Sequence, residues 1–169
     1  MEFVEVVRQR RSIRKYRPDP VPQPKLDFIL EAARVAPSWA NGQCCSFVVV
    51  TDPKVKRELA ASGNEWVEHA PCIIAACADP AKSGTKKDQS YYLLDVGIAM
   101  EHLVLAAADQ GLGTCWIGWF DEEKARTALA VPRSIRVVAF TPLGYPDERP
   151  EARPRKSRGE LVFRDRWEQ

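Results

Sequence analysis

Basic side chains are the most unevenly placed chemistry in this sequence. Six basic residues and no acid lie between Arg8 and Arg17, and five more basic residues lie between Arg149 and Arg158. The net charge is only +2, so the remainder of the chain is net acidic. Two readings of the clusters stay open: both ends meet one anion, or both are solvated faces. A balance this close to neutral gives no general argument for nucleic acid.

The other reactive side chains are sparse. Five cysteines stand at 44, 45, 72, 77 and 115, an odd number with no C-x-x-C, and there are two histidines, His69 and His102. This composition points to reduced thiols in an intracellular protein and predicts no zinc site. Cys44 and Cys45 are neighbours whose bridging would strain the backbone, so they read as small buried or half-buried apolar residues. The P-loop, the G-x-S-x-G elbow and the H-E-x-x-H helix are all absent. Gly111-Leu-Gly113 begins like a dinucleotide fingerprint, but Trp116 occupies the third glycine position. A chain with an anion-binding end and no catalytic dyad suits a cofactor that brings the chemistry with it.

The elements that must position these residues can be read from periodicity. Phe3, Val6 and Val7 predict a first helix over residues 2–11, followed by a proline-rich loop from Tyr16. Pro24 opens a second helix that Pro37 should end. Ser46–Thr51 reads as a buried strand, Asp52-Pro53 as the cap and first turn of a helix, and Cys72–Ala78 as a second buried strand. Residues 79–87 read as a polar loop. Residues 91–110 form the strongest helix, apolar on most sides, with two coverings open: a partner subunit or layers of the same chain. A short strand over Thr114–Ile117, a helix capped by Asp121 and a strand over Ile135–Thr141 complete the pattern. These alternating elements argue for an α+β or α/β domain.

The 169 residues, 45% hydrophobic and 28% charged, are ordinary globular composition and suit one domain. Residues 146–169 are expected to be a C-terminal arm of a single domain spanning 1–169. No uninterrupted apolar run approaches the roughly 20 residues of a membrane helix. The opening MEFVEVVRQRR has early acids and is expected not to be a signal peptide.

Five pieces of sequence, taken in order, resemble the FMN-dependent nitroreductase family. They are Arg10-Arg-Ser-Ile-Arg-Lys-Tyr16, Ala36-Pro-Ser-Trp-Ala-Asn-Gly-Gln43, the helix from Asp95 with Gly111-Leu-Gly-Thr-Cys-Trp-Ile-Gly118, Leu143-Gly-Tyr-Pro146, and Arg155-Lys-Ser-Arg158. The resemblance covers nearly the whole chain. It implies a nitroreductase-like α+β sandwich, with a mixed sheet flanked by helices, in an intertwined homodimer. It also implies a cytoplasmic NAD(P)H oxidoreductase that uses FMN, with NADH or NADPH as donor and a nitroaromatic, quinone or similar small molecule as acceptor. The transfer would be a two-electron ping-pong, without a membrane or nucleic-acid partner. Alternatives within the same resemblance are a flavin-binding redox module without turnover and a related chemistry such as dehalogenation.

The resemblance also assigns residues. Arg10, Lys156 and Arg158 match phosphate binders, Ser12 a ribityl or phosphate contact, and Arg14 the cation near flavin N1 and the C2 carbonyl. Arg11 falls at a more variable position. Trp116, Ile117, Gly118 and Trp119 match the segment along the isoalloxazine ring, where backbone N–H groups reach N5 and O4, with Gly118 the candidate at N5. Pro37, Ser38, Trp39, Asn41 and Gln43 match a loop that approaches the flavin from the other subunit. Cys44-Cys45 replaces the family's usual Pro-Trp after that glutamine. No metal is implied.

Overall fold

A computed structural model describes residues 2–167. The chain runs through α1 (Phe3–Gln9), α2 (Gln23–Arg34), β1 (Cys45–Val50), α3 (Pro53–Ala60), β2 (Cys72–Ala78), the short hairpin β3 (Thr85–Lys86) and β4 (Gln89–Ser90), α4 (Tyr91–Asp109), β5 (Gly113–Thr114), α5 (Glu122–Ala128) and β6 (Arg136–Gly144). The main sheet has the order β1-β2-β6-β5, and each of its three ladders is antiparallel. The parallel component that makes it mixed is a single bridge, Ser12 to Thr114.

The central strand β2 explains the two-sided packing. All seven of its residues are buried, as its unbroken apolar run requires. Side chains alternate across a strand, so Cys72, Ile74, Ala76 and Ala78 enter one core with Leu26 and Ile29 of α2 and Met100 and Leu103 of α4. Ile73, Ala75 and Cys77 enter the other, with Leu59 of α3 and Ala125 of α5. The β2–β6 register slips between Ala76 and Cys77, where Val138 is the extra residue of a bulge.

Local signals fix the helix ends. Asp52 accepts the Lys54 and Val55 N–H groups at 2.8 and 3.0 Å, with Pro53 in the first turn of α3. Asp121 caps α5 by accepting the Lys124 N–H. Helix α4 is long and apolar enough to cross a membrane, but Val96, Met100, Leu103, Val104 and Ala107 lie in the first core, which makes it a core helix. Its remaining apolar side, with Leu93 and Leu94, faces outward.

The N-terminal basic segment is stitched to β5 and to the start of the C-terminal arm. The Ile13 N–H donates to the Thr114 carbonyl, Arg17 N–H to Tyr145 and Asp147 N–H to Lys15, all within 2.9 Å. Residues 12–17 therefore lie between β5 and the start of the arm.

Candidate functional site: a cationic cleft beside a glycine-bearing strand

Arg10 leaves the C-terminal end of α1, and the extended chain after it carries Ser12 and Arg14 along the β5 edge. The arm returns over them. Between the two runs lies a cleft of about 560 Å³, lined by Arg8, Arg10, Arg11, Ser12, Arg14, Arg153 and Arg155, with Glu151 the single acid of its wall. Such a wall attracts anions, and arginine forks suit phosphate oxygens. The Nη1 of Arg10 is buried and has no hydrogen-bond partner among the described residues. A buried guanidinium N–H left unpaired is costly, and an anion would satisfy it. Arg11 is committed locally, its Nη1 donating to the Arg8 and Arg10 carbonyls at 2.7 and 2.8 Å. Glu148 accepts the Arg14 and Lys15 backbone N–H groups and so pins the arm base under Arg14. A second cleft of about 830 Å³ shares Arg10 and Arg11 and continues past Gly113 and Arg149.

The field of these cations reaches the neighbouring strand. Burial pushes the Cys115 thiol up, and Arg14, the Ser12 hydroxyl and Arg10 pull against it. Two residues on, Ile117 exchanges both main-chain hydrogen bonds with Phe140, at 2.9 and 3.0 Å. The next two N–H groups, of Gly118 and Trp119, have no acceptor among the described residues. A Cβ built at Gly118 would meet nothing within 4 Å, and its backbone is not left-handed. The fold of the single chain therefore gives no reason for glycine there, whereas a flat group lying against the backbone would. The turn is held from behind: Asn64 Nδ2 donates to the Trp119 carbonyl at 2.8 Å, and Asp121 N–H to the Ser62 carbonyl at 2.7 Å. The Trp119 side chain is 92% exposed.

A third set lies on the turn between α2 and β1. Ser38 Oγ accepts the Gln43 N–H at 3.0 Å, and Trp39 stacks on Tyr91 with ring centroids 6.5 Å apart. Cys44 is buried and Cys45 half-buried, with sulfurs 3.9 Å apart. Burial, then the hydrogen bond to Asp95, pushes the Cys44 thiol up to about 12, so it stays protonated.

The sequence model of the nitroreductase family matches residues 7–63 and 58–145. The chain belongs to that family. It is similar to an NADH dehydrogenase of Thermus thermophilus, with 35% identity over 83% of this chain and 84% of that one. A nitroreductase family protein of Clostridium novyi superposes with a TM-score of 0.84 at 42% identity, covering 88% of this chain and 87% of that one. An NADPH:FMN oxidoreductase of Vibrio harveyi, whose structure is a complex with NAD+, superposes with a TM-score of 0.91 at 28% identity, over 99% and 78% of the two chains.

Against the nitroreductase-family expectations, the structure brings Arg10, Arg11, Ser12 and Arg14 into one cleft. It places Arg153 and Arg155 there too, while Lys156 and Arg158 lie further along the exposed arm, at a turn that Ser157 and Glu160 cap reciprocally. Trp116 packs against the first core and Ile117 is buried in the second. Phe140 takes the Ile117 N–H, so that group is engaged within the sheet, whereas the Gly118 and Trp119 N–H groups have no acceptor among the described residues. Pro37, Ser38, Trp39, Asn41 and Gln43 sit on their own turn and line neither cleft. Asn64, Asp95 and Glu148, which brace these segments through hydrogen bonds, were not among the residues expected from the sequence. Asp95 left a weak signal, as one of three acids in a largely apolar helix and the only one of the three that is buried.

Proposed function

We propose that this chain is an FMN-dependent NAD(P)H oxidoreductase that passes two electrons in ping-pong fashion to nitroaromatics, quinones or similar small acceptors. The observation that carries the reading is the buried Arg10 Nη1, without a partner among the described residues, at the head of an arginine-lined cleft, together with the Gly118 and Trp119 N–H groups, likewise without an acceptor there, on the turn before α5. A flavin mononucleotide presents a phosphate to the first and polar ring edges to the second. The NADH dehydrogenase and NADPH:FMN oxidoreductase names of the relatives support the same cofactors. When bound, FMN supplies hydride exchange at N5, with NADH or NADPH as donor.

The protein's share is binding, orientation and electrostatics. Arg10 and Ser12, with Arg153 and Arg155 from the arm, hold the phosphate end, and Lys156 and Arg158 follow on the same arm. Arg14 would supply a positive charge for the pyrimidine edge. The Gly118 N–H would be the donor for N5, and the absence of a Cβ would let the ring approach. Asn41 and Gln43 add amide donors and acceptors from a second copy of the chain.

A homodimer is supported by two observations. The turn with Asn41 shares no cleft with Arg10 in one chain, and apolar side chains stand exposed on α1 (Phe3, Val4, Val7) and α4 (Leu93, Leu94). Five free thiols suit a reducing compartment, which supports the cytoplasm.

The purified protein is expected to be yellow, to release FMN and not FAD on denaturation, and to oxidise NADH or NADPH when a nitroaromatic is added. A colourless chain that also fails to take up FMN would refute the reading. Flavin binding without NAD(P)H oxidation would reduce it to a redox module.

A further inference from the structure

The turn between α2 and β1 concentrates backbone strain. Ala40, Asn41 and Gln43 all adopt left-handed φ, at 46°, 55° and 49°. Non-glycine residues hold that conformation only where their surroundings over-determine it, and such sites cluster where function needs fixed geometry. The turn closes on its own Asn41-to-Ser38, Gly42-to-Trp39 and Gln43-to-Ser38 hydrogen bonds, and a buried carboxylate anchors its start. Asp95 of α4 is 3% exposed. Its Oδ1 accepts the Trp39 N–H at 2.8 Å, and its Oδ2 accepts the Ser83 hydroxyl at 2.8 Å and the Cys44 thiol at 3.3 Å. The three donors come from three segments: the strained turn, the loop before β3 and the approach to β1.

The surrounding packing leaves no slack. A Cβ at Gly42 would lie 2.1 Å from the Lys82 carbonyl oxygen, and one at Gly84 would lie 2.4 Å from the Trp39 ring. All three groups facing Asp95 can donate to its two oxygens. A buried polar side chain is seldom the cheapest way to fill a helix face, since apolar residues of similar size often stabilise as well or better. Its use here calls for a role beyond packing.

We propose that Asp95 is a positioning residue for cofactor binding: it clamps the Trp39–Gln43 turn so that the amides of Asn41 and Gln43 are presented in one fixed geometry. The assignment rests on the FMN reading above.

The test is Asp95→Asn in the full chain. The variant keeps the shape, but an NH2 donor replaces one acceptor oxygen, so it cannot accept from Trp39 on one side and from Ser83 and Cys44 on the other at the same time. Amides of residues 39–43 should exchange with solvent about tenfold faster, while those of β2 stay protected. FMN should bind about tenfold more weakly, and this loss should largely vanish when Asn41→Ala and Gln43→Ala are already present, because the clamp then has nothing to present. If Asp95→Asn does not fold, Ser83→Ala removes one donor and should shift exchange in the same direction, with Ser83→Thr restoring it. Unchanged exchange at 39–43 in a folded variant overturns the clamp. An FMN loss of equal size in both backgrounds overturns its link to Asn41 and Gln43. A wild-type chain that binds no FMN overturns the cofactor reading itself, and the exchange measurement still decides whether Asp95 holds the turn.

Discussion

At the scale of single residues, the site is marked by groups whose needs the folded chain leaves unmet. Arg10 Nη1 is buried without a partner among the described residues, so removing it should cost the flavin-free protein nothing. Arg10→Met is expected to leave the melting temperature of the flavin-free protein unchanged or higher. A charged hydrogen bond lost from the phosphate is worth about 1.5–3 kcal/mol, so FMN should bind roughly 10- to 150-fold more weakly. Titration of FMN fluorescence and a thermal melt read the two effects separately; weaker FMN binding matched by a lower melting temperature would make Arg10 a structural residue. Gly118 and Gly113 form a second contrast. A Cβ at Gly118 meets open space, whereas one at Gly113 would lie 2.8 Å from Ile13. Gly118→Ala should therefore fold and melt like the wild type yet bind FMN more weakly, and Gly113→Ala should lose stability even without flavin. Equal FMN affinity for Gly118→Ala and wild type would show that no flat group lies against that backbone.

At the scale of elements, legibility followed how local each signal is. Asp52-Pro53 and the run Cys72–Ala78 carry their structure in adjacent residues, and both elements stand where periodicity puts them. The strand expected over Thr114–Ile117 pairs only at Gly113–Thr114 and again at Ile117, because the Cys115 N–H goes to Thr141 Oγ1 and not to the main chain. β6 continues through Pro142 to Gly144, three residues beyond the expected end at Thr141. The β3–β4 hairpin lay hidden in a polar loop because Lys87-Asp88 lacks a strong turn signature, although Lys87 takes the left-handed φ a tight turn needs. Of the site, the basic segments were readable as charge, but the buried Arg10 nitrogen and the Asp95 clamp depend on contacts across distant sequence. One such contact sets a pH dependence. Glu122 of α5 takes two 2.7 Å hydrogen bonds from Arg136 of β6, and with the Val137 N–H these hold its carboxyl below its ordinary range. A depressed folded pKa stabilises above the unfolded value, about 4.3, and the benefit disappears as pH falls through the folded value. Glu122→Gln should thus melt roughly 2–4 °C lower at neutral pH, for a pair worth about 1 kcal/mol. The gap should close below about pH 4; a gap independent of pH would mean that charge plays no part.

At the scale of the whole molecule, the two sets of residues proposed to share a site do not meet within one chain. Arg10 lines the cationic clefts, whereas Asn41 sits on the turn clamped to α4 and lines neither of them. The exposed apolar residues of α1 and α4 offer the surface on which a second copy would bring the halves together. In a twofold dimer each site would then combine Arg10 of one chain with Asn41 of the other. Arg10→Ala and Asn41→Ala homodimers should each be impaired without unfolding. In a heterodimer of the two variants, purified through a different tag on each chain, one site carries both lesions and is dead. The other site takes its Arg10 and its Asn41 from the unmutated positions of the two chains. Such heterodimers are expected to recover about half the wild-type activity per dimer if the two sites act independently. Were each site contained in one chain, every site of the heterodimer would carry one lesion, and activity would stay near the mean of the two mutants. That second result would leave FMN binding possible but would remove the shared site.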